Sequence, residues 1–203
     1  MQSERMTARV QMETRRRLER ILMQNEAAVR GELANLRRGV GRAPGDLPAL
    51  WGMLFDQLPD DMLGQYAQPS RAEWAIYAAV TLYALHQQGK DPQRESMNQQ
   101  GVSLGRAAAI LVWKEGEGAR ERIARRFHQV ALSSDMEGLT YYLRGFVQLL
   151  RSEGVALDYP LLAADLYRFQ FPEQAPSVRL KWGQDFYARK EDAQEADAAN
   201  ENE

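Results

Sequence analysis

The residues best placed to do chemistry in this sequence are arginines, and the chemistry they suit is the gripping of phosphate or carboxylate. In GARERIARRFHQVAL, residues 118–132, Arg122, Arg125 and Arg126 lie three and four positions apart, beside an apolar face of Ile123, Phe127 and Val130. Glu121 is spaced to pair with Arg125, whereas Arg122 and Arg126 are like charges one helical turn apart, an unfavourable pairing unless an anion sits between them. A second group lies in NLRRGVGRAPGDLPALW, residues 35–51, where Arg37 and Arg38 end a helix and Arg42 follows in a loop with Gly39, Gly41 and Gly45. The helix dipole favours cations in a last turn, which accounts for Arg37 or Arg38 but not for Arg42. Glycines would let a phosphodiester chain come close to the backbone while guanidiniums contact its oxygens. Arg106, in GVSLGRAAAIL, sits at a helix start, where a cation opposes the dipole, and an apolar run follows it. It needs a partner, either a carboxylate or a phosphate. Arg144, in YYLRGFVQLL, is likewise flanked by apolar residues. Arg15, Arg16, Arg17 and Arg20 alternate with Glu13 and Glu19 and read as a solvated helix face.

Catalysis has little to stand on. His86 and His128 are the only histidines. His86 lies in the last turn of a helix, where the partial negative charge suits an imidazole, and it reads as structural. His128 lacks the neighbouring acids and histidines of a nuclease. HExxH, GxSxG and metal-loop carboxylate spacings are absent. Asp158 and Asp165 are two turns apart, and helix capping accounts for Asp158 better than acid–base work. GVGRAPG looks superficially like a phosphate loop, but it follows a helix rather than a strand and lacks the GK[ST] ending. The sequence therefore predicts a protein without enzymatic activity, metal or cofactor.

Of the 203 residues, 44% are apolar, enough for a packed core. The net charge of −2 hides an asymmetry, because residues 191–203, EDAQEADAANENE, hold six acids and no base. That leaves 22 acids against 26 bases in residues 1–190, and only Lys90, Lys114, Lys181 and Lys190 among the bases are lysines. Arginine's planar fork binds phosphate and carboxylate in a bidentate way that lysine cannot match, although a coding bias toward arginine would leave the same composition. There is no cysteine, hence no disulfide and no thiolate zinc site. WAIYAAVTLYAL, residues 74–85, is too short to cross a bilayer, and the N-terminal stretch has no hydrophobic signal region. A cytoplasmic protein is expected.

The elements that must position these arginines are helices. Residues 11–38 follow the helical period through Leu18, Ile21, Leu22, Val29, Leu33 and Leu36. Asp46 is placed to cap a short helix with Pro48 in its first turn, and Ser70 with Glu73 forms a capping box for a helix ending at Gly89. Ser103 opens the next helix, KEGEG breaks it, residues 119–132 form another, and Asp135 caps a long one ending near Gly154. Pro160 sits in the first turn of a helix to about Phe169, and residues 172–187 fit either an extended arm or a short helix. The reading is an all-α fold, an irregular bundle of about seven helices forming one domain or two small lobes. Residues 191–203 are too acidic and polar to fold.

Taken in order, NLRRGVGRAPGDLPALW, LYALHQQG, GVSLGRAAAIL, RRFHQVALSSDMEGLTYYLRGFVQLLR, LDYPLLAADL and KWGQDFY resemble the CasB family, the small subunit of the type I-E CRISPR Cascade surveillance complex. The resemblance spans roughly residues 18–188. Residues 1–17 form an N-terminal extension outside it, residues 18–190 the helical small-subunit domain, and residues 191–203 the acidic tail. The resemblance implies a helical, non-catalytic subunit present in two copies beside other Cascade subunits, contacting CRISPR RNA and target DNA in the R-loop without reading sequence. It carries the backbone-gripping role to Arg37, Arg38, Arg106, Arg125, Arg126 and Arg144, and by proximity to Arg42, Arg122 and Lys181. Tyr141, Tyr142, Trp113 and Trp182 are available to stack on bases, although core or interface packing also explains them. The acidic tail would either compete with nucleic acid for the arginines or aid solubility. The other reading is a helical protein-interaction adaptor whose arginines pair with carboxylates.

Overall fold

The computed structural model describes residues 2–66 and 68–188. The helical pattern of residues 11–38 is divided in two, α1 (Gln2–Leu22) and α2 (Glu26–Arg38), because Asn25 is extended and its side chain accepts the Ala28 N–H at 3.0 Å as a fresh N-cap. The short α3 (Trp51–Phe55) follows a 3-10 turn at Pro48–Leu50. Asp46 does not cap it. Its carboxylate instead accepts the Ala43 N–H at 3.1 Å and closes the preceding turn.

The other caps fall where the sequence places them. Ser70 Oγ accepts the Glu73 N–H and Glu73 accepts the Ser70 N–H, opening α4 (Arg71–His86). Ser103 caps α5 (Leu104–Glu115), and Gly116, at φ +90°, stops it ahead of α6 (Arg120–Ala131). Asp135 caps α7 (Met136–Ser152), and Asp158 caps α8 (Tyr159–Phe169), with Pro160 in its first turn. Residues 172–187, open between arm and helix, form α9 (Ala175–Tyr187), because Val178, Trp182 and Phe186 line up on one face and are fully buried. The all-α class holds. The described residues form nine α-helices rather than about seven, and their only β pairing is one isolated bridge, Asn98 to Leu157. The acidic segment 191–203 lies outside the described residues.

Helix α4 is the axis of the packing. Its side chains from Ala72 to His86 are buried, Trp74 being half-buried, and α1, α2, α7 and α8 pack around it. A second layer of α5, α6 and α9 joins through α7, which touches α4, α5 and α6, and through α8, which touches α9. One continuous apolar cluster runs through both groups. No helix among the described residues is long and apolar enough to cross a membrane.

The α1 arginines are not all solvated. Arg17 is 2% exposed, donates to Glu13 Oε2 at 2.7 Å and reaches the Leu54 carbonyl at 2.9 Å. Burial lowers its pKa against the pull of Glu13. Arg20 donates to Asp56 at 2.8 Å, so this helix uses two of its cations to hold the residues around α3.

Two buried titratable groups face opposite penalties. His86 Nδ1 sits 2.9 Å from the Tyr159 hydroxyl, and burial drops its pKa to about 4, so the imidazole is neutral. Asp165 accepts the Trp182 indole N–H at 2.7 Å, and burial pushes its pKa up to about 6. The His86 contribution to stability is present above pH 6.5 and lost as pH falls toward about 4. That of Asp165 is present below pH 3.8 and lost as pH rises through about 6. Each spans on the order of 3 kcal/mol. Relative to the native sequence, His86→Gln should therefore gain stability as pH falls from 6.5 to 4, and Asp165→Asn should gain it as pH rises from 4 to 6. Urea denaturation at a series of pH values reads both, and difference curves flat with pH would refute the assignment.

Candidate nucleic-acid interface

The corner between α2 and α3 is built by close packing. Tyr77 of α4 donates its hydroxyl to the Gly39 carbonyl at 3.1 Å, and a Cβ on Gly39 would lie 2.6 Å from that hydroxyl oxygen and 2.7 Å from Leu50 Cδ1. Gly41 and Gly45 follow with φ of +79° and +96°, which glycine adopts without strain. The glycines thus serve the turn and the helix contact. With Asp46 tied to the Ala43 N–H, the three arginines of the corner are left over. Among the described residues, no carboxylate lies within 4 Å of Arg37, Arg38 or Arg42. Arg38 and Arg42 are exposed. Arg37 is half-buried, and burial together with the nearby Arg151 lowers its pKa. Trp51, about half exposed, is anchored by its indole N–H to the Gly45 carbonyl at 2.9 Å.

Helix α7 continues this charged region. Arg42 borders a small crevice with Tyr77, Thr81 and Thr140, and Arg144 stands one turn beyond Thr140, exposed and without a carboxylate partner among the described residues. Two turns further on, Arg151 donates to Gln88 Oε1 at 2.7 Å and lies near Arg37. Tyr141 is 72% exposed and meets Tyr142 edge to face at 5.3 Å. Arg37, Arg42 and Arg144 are therefore gathered around the end of α2 and the outer face of α7. Arg151, Lys90 and Trp51 join them without having been singled out by sequence. The seven-residue spacing of Arg144 and Arg151 is the one local signal that marks Arg151.

The α6 arginines form a different group. Ile123, Phe127 and Val130 are buried, as their spacing predicts. Arg122 pairs with Glu115 of α5, Arg125 with Glu121 at 3.4 Å, and Arg126 is exposed with no carboxylate within 4 Å among the described residues. Arg106 is half-buried one turn into α5, and its backbone N–H binds the Ser103 cap. Lys181 pairs with Asp185 at 2.8 Å, and Asp185 also accepts the Ser103 hydroxyl at 2.6 Å. Trp182 is fully buried and Trp113 packs against the core, so Tyr141 and Tyr142 are the exposed aromatics among the four stacking candidates. His128 is exposed, and no group of three or more histidines and acids among the described residues could hold a metal ion.

The profile of a family described as CRISPR-associated protein Cse2 matches residues 32–187. The crystal structure of CasB from Thermobifida fusca is 35% identical, covers 90% of this chain and 97% of its own, and superposes with a TM-score of 0.68. The crystal structure of M. ruber CasB, 22% identical over 92% of this chain and 97% of its own, shares the fold with a TM-score of 0.64. No curated protein matches the chain.

The two glycines of the α2 region should respond oppositely to alanine. Gly39→Ala forces Tyr77 and Leu50 apart and should cost about 2 kcal/mol, within the range for overpacked sites. Gly31→Ala, mid-helix with open space around its Cβ, should gain roughly 0.5–1 kcal/mol. Urea midpoints moving in the same direction for both would contradict this packing.

Proposed function

Because the chain belongs to the CRISPR-associated Cse2 family, we propose that it is a non-catalytic subunit of a Cascade-type RNA-guided surveillance complex. In this reading it grips nucleic-acid backbone through arginines and steadies guide RNA and target DNA in the R-loop. Its partners are CRISPR RNA, target DNA, other Cascade subunits and a second copy of itself. The observation that carries the reading is the set of guanidiniums around the α2 corner and α7 that have no carboxylate within 4 Å among the described residues. Positive charge held in a rigid corner gains most from a ligand that arrives with its own anions, and phosphodiester chains supply them at regular intervals.

Guide–target pairing supplies the sequence specificity in such complexes, and protein contacts need only tip a nearly balanced strand exchange. Arg38, Arg42 and Arg144 offer contacts to backbone. Tyr141 and Trp51 present exposed ring surface beside them, suited to sequence-tolerant stacking. The pairing of Arg122, Arg125 and Lys181 with Glu115, Glu121 and Asp185 favours the adaptor reading for the α6 and α9 faces, where a partner subunit would meet mixed charge.

A salt titration with labelled single-stranded and duplex DNA tests this. Affinity should fall steeply with salt for both ligands, whatever their sequence. Arg42→Ala with Arg144→Ala should lower affinity about tenfold at about 50 mM salt and reduce the salt slope by about two, with the melting curve unchanged. Unaltered affinity and slope in that double variant would remove this surface from the proposal and leave the adaptor.

A further inference from the structure

Helix α6 carries Arg120, Arg122, Arg125 and Arg126 against a single acid of its own, Glu121. Helical spacing sets Arg122 and Arg126 one turn apart with Arg125 beside them, and all three are exposed. Ion pairs open to solvent engage three of the four: Arg120 with Glu117 at 2.6 Å, Arg122 with Glu115, and Arg125 with Glu121 at 3.4 Å. Pairs of this kind are weak and exchange readily. Arg126 has no carboxylate within 4 Å among the described residues. The last turn of α9 packs against this helix. Phe186 meets Phe127 at 5.1 Å between ring centroids, Tyr187 lies near Arg120, and Ala188 leaves the helix in an extended conformation. Further along the chain, Glu191, Asp192, Glu195, Asp197, Glu201 and Glu203 follow with no base among residues 191–203. The family profile ends at residue 187, so the match does not cover this acidic stretch. The eight residues from Ala188 to Glu195 reach up to about 27 Å when extended, against a rise of about 9 Å from Arg120 to Arg126.

We propose that residues 191–203 fold back, within the same chain, onto the outer face of α6, with a tail carboxylate seated between Arg122 and Arg126. Like charges one turn apart repel, and an anion between them turns that repulsion into attraction. Glu115, Glu117 and Glu121 oppose the tail, so the contact depends on two aids. One is the tether, which holds the six acids at a millimolar effective concentration whatever the protein concentration. The other is the N-terminus of α6, whose positive dipole end lies beside the point where the chain leaves α9. The α2 corner is also cationic, but α2 belongs to the helices packed around α4, whereas α9 packs on α5. The α6 face, rather than the corner, therefore adjoins the tether. A partner subunit that meets this face displaces the tail first. The contact does not depend on nucleic-acid binding.

The chain has no cysteine, so Ala199→Cys gives the full chain a single site for a nitroxide spin label. Paramagnetic broadening of the backbone amide signals then reports where the tail lies. The strongest broadening is expected at residues 122–129 in about 20 mM salt, with its loss in about 500 mM salt. In the same labelled chain, Glu195→Gln, Asp197→Asn, Glu201→Gln and Glu203→Gln together should abolish it, and so should Arg122→Gln with Arg126→Gln. Both arginines are exposed, and an unchanged amide spectrum elsewhere shows the fold intact. Equal broadening with the neutralised tail would reduce the effect to proximity at the tether and overturn the proposal. Broadening centred on Arg38, Arg42 and Arg144 would place the tail on the arginine corner and overturn it too. In a mixture, broadening of an isotope-labelled chain by a separate spin-labelled one would assign the contact to a second copy and refute folding back within the chain. No selective broadening at either salt concentration would leave the tail a solubilising segment and end the proposal.

Discussion

From Ala72 to His86 scarcely a side chain of α4 meets solvent, and a helix apolar on every face needs neighbours on every face. Helices α1, α2, α7 and α8 supply them. Most of the small residues in this stretch, among them Ala75, Ala78, Ala79 and Ala84, permit close approach, and the end of α2 presses in until Gly39 touches Tyr77 and Leu50. This constraint positions the arginine corner. The last turn of α2 is clamped to one side of α4 and α7 to another, so Arg42 and Thr140 come to border one crevice and Arg37 comes near Arg151.

Charge is handled differently inside and outside. In the interior three titratable groups have partners close by: Arg17 with Glu13 and a carbonyl, His86 with Tyr159, Asp165 with Trp182. Burying charge without such partners would cost several kcal/mol, roughly 3–5 for a broken pair. At the α2 corner and on α7 the guanidiniums have no carboxylate within 4 Å among the described residues, which solvent tolerates and an anionic ligand would exploit. The mixed, paired charge of α6 and α9 is the third pattern, and it suits contact with protein better than contact with phosphate.

The helices were legible because their signals are short-ranged. Ser70, Ser103, Asp135 and Asp158 each cap within three residues of their own position, and the sequence shows each cap directly. Asp46 was misleading for the same reason, since a carboxylate in a turn can accept an N–H on either side of it, and here it accepts one upstream. Arg17 was misread as solvated because charge alternation along α1 says nothing about which face α3 and its flanking loop will cover.

What the sequence determined by itself was the all-α class, most helix ends, the buried α4, the apolar face of α6, and which residues carry the surplus positive charge. These follow from periodicity and capping, which act over three or four residues. Only the tertiary structure decided which guanidiniums pair with acids and which share a surface. Glu115 reaches Arg122 across a helix break, Trp182 reaches Asp165 from the next helix, and Arg151 of α7 comes near Arg37 of α2. Such meetings depend on how α4 is wrapped, and no local rule of spacing encodes them.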